Sequence, residues 1–302
     1  MKQPIRQVLL LCGAWLLLTV ANAQSVAMAP VAAVPLRQLQ VLGHAGSGFL
    51  TPINPFNALP PSSLRGIERA LERGADGVEI DIQLSQDSVP MLYHNTELAT
   101  LTNAREGCIS TRSAAFITSL SYRAGWPYDW FQQERPQRLD TLLARLIKRP
   151  TFPYLHLDLH EEDACTGYGD GGRSLALVRA LATLFNQYQV PAERVLILTN
   201  QPATLQYIQQ QMPLVARGLE VTQDFAAGLQ QARSAGVQVV VMSKYVATPE
   251  RSARVHSTGM KVVIFGGRSP RAIRRLLRCQ PDAIEVDNLR QLLRMRSKAL
   301  GA

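Results

Sequence analysis

The sequence predicts a (βα)8 barrel, in which eight parallel strands close into a ring and eight helices surround it. Short apolar segments alternate with helical patterns eight times along the chain. The apolar segments suit burial on both faces, as the strands of a parallel sheet require. A barrel of this kind needs about 250 residues, and the chain has 302. An open, doubly wound sheet is the alternative fold that the same alternation allows.

The predicted strands are short apolar runs. In chain order they are Leu39–His44, Gly77–Leu84, Tyr154–His160, Val195–Asn200, Leu214–Val221, Val237–Ser243, Lys261–Gly266 and Ala283–Asp287. A segment with helical periodicity lies between each strand and the next, and one follows the last strand. In the same order these helices are Leu64–Arg73, Leu139–Lys148, Ser174–Tyr188, Ala203–Gln211, Asp224–Ala235, Pro249–Thr258, Pro270–Arg278 and Leu289–Lys298.

A hairpin and an insertion are predicted after the second strand. Val89–His94 is a further strand-like run, which a four-residue turn joins to the second strand. Residues 95–138 then show no clear periodicity, and we expect them to form an insertion at the catalytic face. This insertion carries five aromatic residues, which either wall a pocket or pack the insertion itself. They are Tyr122, Trp126, Tyr128, Trp130 and Phe131.

The N-terminal residues are predicted to lie outside the barrel. Lys2 and Arg6 precede an apolar run over residues 8–20, and Ala-Asn-Ala follows at residues 21–23. This order is typical of a secretory signal peptide over residues 1–23.

The signal peptide sets the expected domain organisation and location. Residues 24–36, rich in Ala, Val and Pro, are predicted as a linker, and residues 37–302 as a single domain. The apolar run is shorter than the about 20 residues of a membrane span, so we expect no stable membrane insertion. The mature protein is expected to be exported, to the periplasm or outside the cell.

Polar side chains occur in and after the first three predicted strands, where barrel enzymes place their active sites. His44 ends the first strand, and His94 ends the hairpin. Glu79 and Asp81 lie two residues apart on the second strand, so they share a face. Asp158 and His160 share a face of the third strand in the same way. His156 shares that face at a deeper level and is predicted to be a hydrogen-bonded core residue.

Three carboxylates on neighbouring strands would repel one another unless a cation lay between them. We therefore predict that Glu79, Asp81 and Asp158 bind one divalent metal ion, Mg²⁺ or Ca²⁺, which prefers oxygen ligands. The two imidazoles of His44 and His94 could act as general acid and general base across a phosphate held by this ion.

From residue 41 to residue 160, and more weakly as far as Asp287, the sequence resembles the glycerophosphodiester phosphodiesterases. The resemblance is densest over residues 74–90, which hold the Glu-x-Asp pair, and it continues through Tyr93-His94. It implies a (βα)8 barrel, catalysis by His44 and His94, and the metal ligands named above. It also implies hydrolysis of glycerophosphodiesters to an alcohol and glycerol phosphate, with a small phosphodiester or lysolipid as substrate.

The sequence departs from this family's pattern at cationic positions. The His-Arg-Gly motif contains Ala45 in place of arginine, and His160 stands where the family has lysine. His160, Asn95 and Trp126 are predicted to contact substrate. Two alternatives therefore stay open. One is an enzyme similar to the spider-venom phospholipase D toxins, acting on lysophospholipids or sphingolipids. The other is a catalytically degenerate secreted binding barrel.

Cysteine positions predict one disulfide. Three cysteines follow the signal peptide, and export would place them in an oxidising compartment. Cys108 in the insertion and Cys165 after the third strand both belong to the catalytic end of the barrel, so we predict that they pair. Cys279 precedes the eighth strand and is expected at the opposite end.

The charge of the chain is unevenly distributed. The net charge is +9, and residues 251–302 hold 12 Lys and Arg against three acidic residues. Such a region could attract anionic lipid or phosphate, or could be the solvated face of the last helices. No aromatic residues interleave with these charges, so we expect no nucleic-acid partner. The protein is expected to be a monomer.

Overall fold

A computed structural model of the chain describes residues 38–49, 57, 59–123, 125, 128–130, 133–161, 165 and 171–299. The predicted signal peptide, the predicted linker and Trp126 lie outside these residues. Among the helices of the described part of the chain, none has the length and apolar character needed to cross a bilayer.

Eight parallel strands form a closed barrel within the described residues. They are β1 (Gln40–Gly43), β2 (Gly77–Leu84), β5 (Tyr154–Leu159), β6 (Val195–Thr199), β7 (Ala216–Val221), β8 (Val239–Ser243), β9 (Lys261–Gly266) and β10 (Ala283–Val286). Each strand pairs with the next in this order, and β1 pairs with both β2 and β10. The predicted (βα)8 barrel is therefore confirmed, and the open sheet is excluded because the ring is closed.

Over the described ranges, the eight predicted helices are present in the predicted order, and a ninth, short helix, the second along the chain, lies in the insertion, where none was predicted. They are α1 (Leu64–Glu72), α2 (Ala114–Ser119), α3 (Leu139–Leu146), α4 (Gly172–Tyr188), α5 (Pro202–Gln211), α6 (Phe225–Ser234), α7 (Pro249–His256), α8 (Pro270–Leu277) and α9 (Leu289–Ala299). Side-chain oxygens of Ser63, Asp224, Thr248 and Ser269 accept backbone N–H groups at the starts of α1, α6, α7 and α8. These caps satisfy donors that the first turn of a helix leaves unpaired.

Side chains alternate along the barrel strands, and this alternation separates core from site. On β2, Val78, Ile80 and Ile82 pack into the apolar layer between the strands and the helices. Glu79 and Asp81 point the other way, into the barrel, because successive side chains on a strand face opposite sides. The barrel interior also contains a separate apolar cluster, comprising Leu42, Leu196, Leu198, Val239, Val241, Val263 and Ala283.

The predicted hairpin and insertion extend the sheet beyond β2. The strand β3 (Pro90–Leu92) pairs antiparallel with β2, and the strand β4 (Gln137–Arg138) pairs antiparallel with β3. The insertion has its own small core, in which the rings of Tyr93 and Tyr122 stack at a centroid distance of 6.0 Å. Trp130 is 73% exposed. Tyr122 therefore packs the core of the insertion, which is one of the two roles predicted for the aromatic residues of this segment.

A disulfide ties the insertion to the loop after β5. Cys108 and Cys165 are bonded, with their Cα atoms 6.0 Å apart and a sequence separation of 57. This is the predicted pair. Cys279 is a free, buried cysteine whose thiol donates to the carbonyl oxygen of Arg275 at 3.6 Å.

Removing the disulfide is expected to lower the stability of the protein. Closing a loop of this length typically contributes about 2–4 kcal/mol to the free energy of unfolding, largely by restricting the unfolded chain. Reductant should therefore lower the melting temperature of the wild-type protein but leave that of a Cys108→Ser, Cys165→Ser double variant unchanged. Free thiols at both positions in protein prepared under oxidising conditions, found by non-reducing peptide mapping, would contradict the pairing.

Candidate active site

A pocket of about 520 Å³ opens at the carboxyl ends of the barrel strands. It brings together five of the residues that the sequence singled out, which are His44, Asp81, His94, Asp158 and His160. Glu79 lies on the same face of β2 as Asp81 and one step deeper in the barrel. The predicted catalytic and metal-binding residues therefore converge on one place in the fold.

Three carboxylates form a compact group in this pocket. Glu79, Asp81 and Asp158 each offer an oxygen, and these oxygens all lie within 4.8 Å of one another. The register of the sheet causes this, because Asp81 on β2 pairs with Asp158 on β5. We call these residues the carboxylate group.

Glu79 contributes a buried oxygen that no described donor satisfies. One of its oxygens accepts the backbone N–H of Ala45 at 2.7 Å, while Oε1 is buried with no hydrogen-bond partner among the described residues. Burial, followed by the negative charges of Asp81, Glu285 and Asp158, raises the pKa of Glu79 well above its ordinary value. A divalent cation held by oxygen ligands fits this arrangement, because it would satisfy the free oxygen and offset the repulsion.

Asp81 is held by direct hydrogen bonds. Ser62 Oγ donates to Asp81 Oδ2 at 2.7 Å, and His160 Nε2 lies 3.0 Å from Oδ1. Burial alone would raise the pKa of Asp81, but the His160 hydrogen bond and the charges of His94 and His160 lower it overall. His160 also lies 3.5 Å from Asp158 Oδ2, and despite its burial these two carboxylates raise its pKa well above the usual value.

A second set of possible metal ligands overlaps the carboxylate group. Asp81, His94 and His160 also bring their ligand atoms within 4.8 Å of one another. Two imidazoles and one carboxylate suit a transition metal such as zinc better than Mg²⁺ or Ca²⁺. The two sets share Asp81, so the identity of the ion would also decide its position.

His44 is oriented by a carboxylate from the other end of the chain. Its Nδ1 lies 2.6 Å from Oδ1 of Asp287, which follows β10, while its Nε2 lies 3.8 Å from Glu79. Burial lowers the pKa of His44, but the hydrogen bond and charge of Asp287, with the charges of Glu285 and Asp81, raise it above its ordinary value. The imidazolium form of His44 is thereby favoured.

His94 has a neutral partner instead. Its Nδ1 lies 2.7 Å from Oδ1 of Asn95, and Asn95 Nδ2 donates to Thr100 Oγ1 at 2.9 Å. Asn95 does not line the pocket, and both ends of its amide are engaged by described residues, so its substrate contact stays a prediction. Asn95 orients His94, and its amide oxygen accepts the Nδ1 hydrogen.

An aromatic ring that the sequence did not single out contacts both His44 and His94. Phe49 lies edge-on to both, with its centroid 4.9 Å from that of His44 and 4.9 Å from that of His94. The ring of His160 also lies near His94, at a centroid distance of 5.3 Å. Phe49 thus contacts the imidazoles of both His44 and His94.

Charged residues on later strands also line the pocket and were missed. Glu220 is on β7, Lys244 follows β8 and Arg268 follows β9. Burial, and then the charge of Asp158, raises the pKa of Glu220 to about 8. Each of these three residues is charged and lies at the carboxyl end of an apolar strand, so the sequence contains a signal for it. The sequence-based prediction of site residues considered the ends of only the first three strands.

Three further residues that the sequence singled out are His156, His160 and Trp126. His156 Nδ1 lies 2.6 Å from Glu285 Oε1, and both side chains are buried, so the prediction of a hydrogen-bonded core histidine is confirmed. His160 lines the pocket and contacts the carboxylate group. Trp126 lies outside the described residues.

Replacing Asp287 by asparagine is expected to lower the pKa of His44. The substitution keeps the shape of the partner but removes its charge. The lowering of the His44 pKa by burial is then opposed by less negative charge. The raised pKa stabilises the folded protein below about pH 6.5, and this contribution is lost as the pH rises through the folded-state value. NMR titration of the histidine ring protons in metal-free protein measures the change. An unchanged His44 titration in the variant would contradict it.

Comparisons with known proteins agree with the fold. Residues 56–291 match the sequence profile of the glycerophosphoryl diester phosphodiesterase family. Over 66 residues, or 22% of the chain, the sequence is 39% identical to glycerophosphodiester phosphodiesterase domain-containing protein 4 of Macaca fascicularis. The chain spans 9% of that protein's length, and about half of the length of a Mycobacterium tuberculosis relative.

Two solved structures are similar over nearly the whole barrel. A Silicibacter pomeroyi protein assigned to the glycerophosphoryl diester phosphodiesterases superposes with a TM-score of 0.74, covering 89% of this chain and 95% of that one at 21% identity. An Oleispira antarctica phosphodiesterase, solved with the product sn-glycerol-3-phosphate, gives a TM-score of 0.70 at 20% identity, covering 87% and 97%. At these identities the likeness establishes the fold.

Proposed function

The chain belongs to the glycerophosphoryl diester phosphodiesterase family, and we propose that it is an exported, metal-dependent enzyme that hydrolyses glycerophosphodiesters to an alcohol and glycerol phosphate. One observation carries the proposal: His44 and His94 flank a pocket that also holds the carboxylate group. The product found in the Oleispira antarctica structure, sn-glycerol-3-phosphate, supports a substrate of this size and chemistry.

The carboxylate group would hold the metal ion. Glu79, Asp81 and Asp158 supply oxygen ligands from two paired strands, and Glu79 Oε1 is free to bind. A bound Mg²⁺ or Ca²⁺ ion would polarise the phosphoryl oxygens of the substrate. Ser62 and the backbone N–H of Ala45 hold the remaining oxygens of Asp81 and Glu79, so the ligands are oriented in advance.

The partners of the two histidines suggest different roles for them. The Nδ1 hydrogen of His94 is donated to the amide oxygen of Asn95, which leaves a lone pair on Nε2 in the neutral ring. We therefore assign His94 as the general base, which takes the proton from the attacking oxygen. That oxygen is either water, which gives glycerol phosphate directly, or a neighbouring glycerol hydroxyl, which gives a cyclic phosphate that water then opens to glycerol phosphate. His44 is paired with the carboxylate of Asp287, which favours its protonated form. His44 is then the general acid that protonates the leaving alcohol.

A lysophospholipid or sphingolipid substrate is the second candidate. The pocket wall includes the rings of Phe49, Phe265 and Tyr245, and Tyr245 is 80% exposed. Apolar surface at the rim of a polar pocket could accept the first part of an acyl chain. This candidate uses the same catalytic groups, so only the substrate distinguishes it from the first.

A panel of phosphodiesters tests the proposal. The exported full chain is incubated in Mg²⁺ or Ca²⁺ with glycerophosphocholine, glycerophosphoethanolamine and lysophosphatidylcholine, and release of the free base or alcohol is followed. We expect turnover of the glycerophosphodiesters and its loss in a His44→Ala, His94→Ala double variant. Turnover of lysophosphatidylcholine alone would favour the second candidate. Binding without turnover of any of them would show a degenerate binding barrel.

A further inference from the structure

Two cationic side chains face the pocket from strands that the family motifs do not include. Among the described pocket residues other than histidine, the positively charged ones are Lys244 and Arg268. They follow β8 and β9, which are adjacent in the barrel, so the two cations approach from one side. The carboxylate group lies on β2 and β5, away from these strands in the ring.

The backbone around Lys244 is built to hold its side chain in place. A Cβ atom on Gly266 would lie 2.8 Å from Lys244 Cδ and 3.1 Å from its Cβ, so the absence of a side chain at Gly266 makes room for the lysine stem. Lys244 N donates to the carbonyl oxygen of Phe265 at 3.0 Å, and Arg275 Nη2 donates to the carbonyl oxygen of Lys244 at 2.7 Å. The ammonium group lies 5.0 Å from the ring centroid of Tyr245, at the pocket rim.

Arg268 is anchored through one edge of its guanidinium group. Nε donates to Asp287 Oδ2 at 3.2 Å, and the side chain is 43% exposed. Its Nη atoms have no hydrogen-bond partner within the part of the chain that the structure describes. Asn288 Nδ2 donates to the carbonyl oxygen of Arg268 at 3.0 Å, which fixes the backbone. The guanidinium group therefore has donors left over for a ligand.

Asp287 connects these cations to the reacting groups. Its Oδ1 accepts from His44 at 2.6 Å, while its Oδ2 accepts from Arg268, so the arginine and the proposed general acid are separated by one carboxylate. Burial raises the pKa of Asp287, but the hydrogen bond and charge of His44, with the charges of Arg268 and Lys244, lower it overall. Both cations thus lie close enough to Asp287, the partner of His44, to affect its pKa.

A phosphodiester is an anion, and this pocket already contains several carboxylates. Its binding therefore requires positive charge beyond a single metal ion, and planar guanidinium groups are well matched to phosphate oxygens. We propose that Lys244 and Arg268 form an anion subsite that binds the non-bridging oxygens of the substrate phosphoryl group. This inference rests on the proposed function for its substrate. It supplies positive charge from the opposite side of the barrel, whereas the first strand is followed by Ala45 in place of the family's arginine.

The inference can be tested by binding alone. Titration calorimetry with sn-glycerol 3-phosphate, in buffer containing Mg²⁺, is compared for wild type, Lys244→Met and Arg268→Met. Each substitution should weaken binding about tenfold, the usual effect of losing one hydrogen bond to a charged group. Lys244→Arg keeps the positive charge at this position and should bind within about threefold of wild type, since a lysine binds phosphate as a point charge. Arg271→Met, which removes an exposed arginine of α8 outside the pocket, is the matched control and should not change binding.

The outcomes separate this inference from the proposed reaction. Wild-type affinity in both methionine variants, with unchanged thermal unfolding, would overturn the subsite even if the enzyme hydrolyses glycerophosphodiesters. Weaker binding in the variants of a protein that hydrolyses none of them would leave the subsite standing and refute the reaction. If the variants lose affinity for glycerophosphoserine but not for sn-glycerol 3-phosphate, the cations bind the headgroup and the inference is wrong.

Discussion

His44→Ala and His94→Ala are each expected to lower kcat/KM for glycerophosphodiesters by about 10²–10⁴-fold, the usual contribution of a general acid or base. Each substitution removes one of the two proton-transfer groups that contact Phe49 in the pocket. Neither removes a member of the carboxylate group or of the proposed anion subsite. Affinity for sn-glycerol 3-phosphate should therefore fall far less than turnover, which steady-state kinetics and calorimetry on the same preparations would show.

His256→Ala is the matched control for the histidine variants. His256 is on α7, where its Nε2 lies 2.9 Å from Asp282 Oδ2, and it does not line the pocket. Its kcat/KM should stay within a few-fold of the wild-type value. If His44→Ala or His94→Ala also stays within a few-fold of wild type, two-histidine catalysis is wrong.

Glu79→Gln and Asp158→Asn should each remove most of the activity, by about 10³-fold or more, because they take away charge from a metal site while keeping its shape. Chelator should have the same effect on the wild-type protein, and added Mg²⁺ or Ca²⁺ should reverse it. Metal content, measured by mass spectrometry on dialysed protein, should drop in both variants. Full activity of chelator-treated wild type would refute metal dependence.

Two further variants locate the ion. Glu161→Gln changes a pocket carboxylate whose oxygens are engaged by the hydroxyls of Thr199 and Thr204, and it should leave the metal content unchanged. His94→Ala should also keep the metal if the carboxylate group binds it. Loss of the metal in His94→Ala would instead place the ion on Asp81, His94 and His160.

The fold and the central site residues could be predicted from the sequence because their signals are local. Repeated apolar strands followed by helical periods define a (βα)8 chain without reference to distant contacts. Glu79 and Asp81 are two residues apart on one strand, so a shared face follows from the period of the strand alone. The hairpin and His94 could be predicted as well, because only a four-residue turn separates the hairpin strand from the second strand. The barrel, the hairpin and the convergence of these side chains are all present in the structure.

Only the tertiary structure decided which distant residues complete the pocket. His44 and Asp287 are 243 residues apart in sequence, and they meet because the ring closes with β1 beside β10 and Gly43 paired to Val286. The same closure brings Lys244 and Arg268 to the site, and side-chain orientation assigns Asn95 to His94 rather than to the pocket. The periodicity of the sequence determines which face of the strand a side chain occupies. Strand order, register and side-chain rotamer determine which other side chain it contacts.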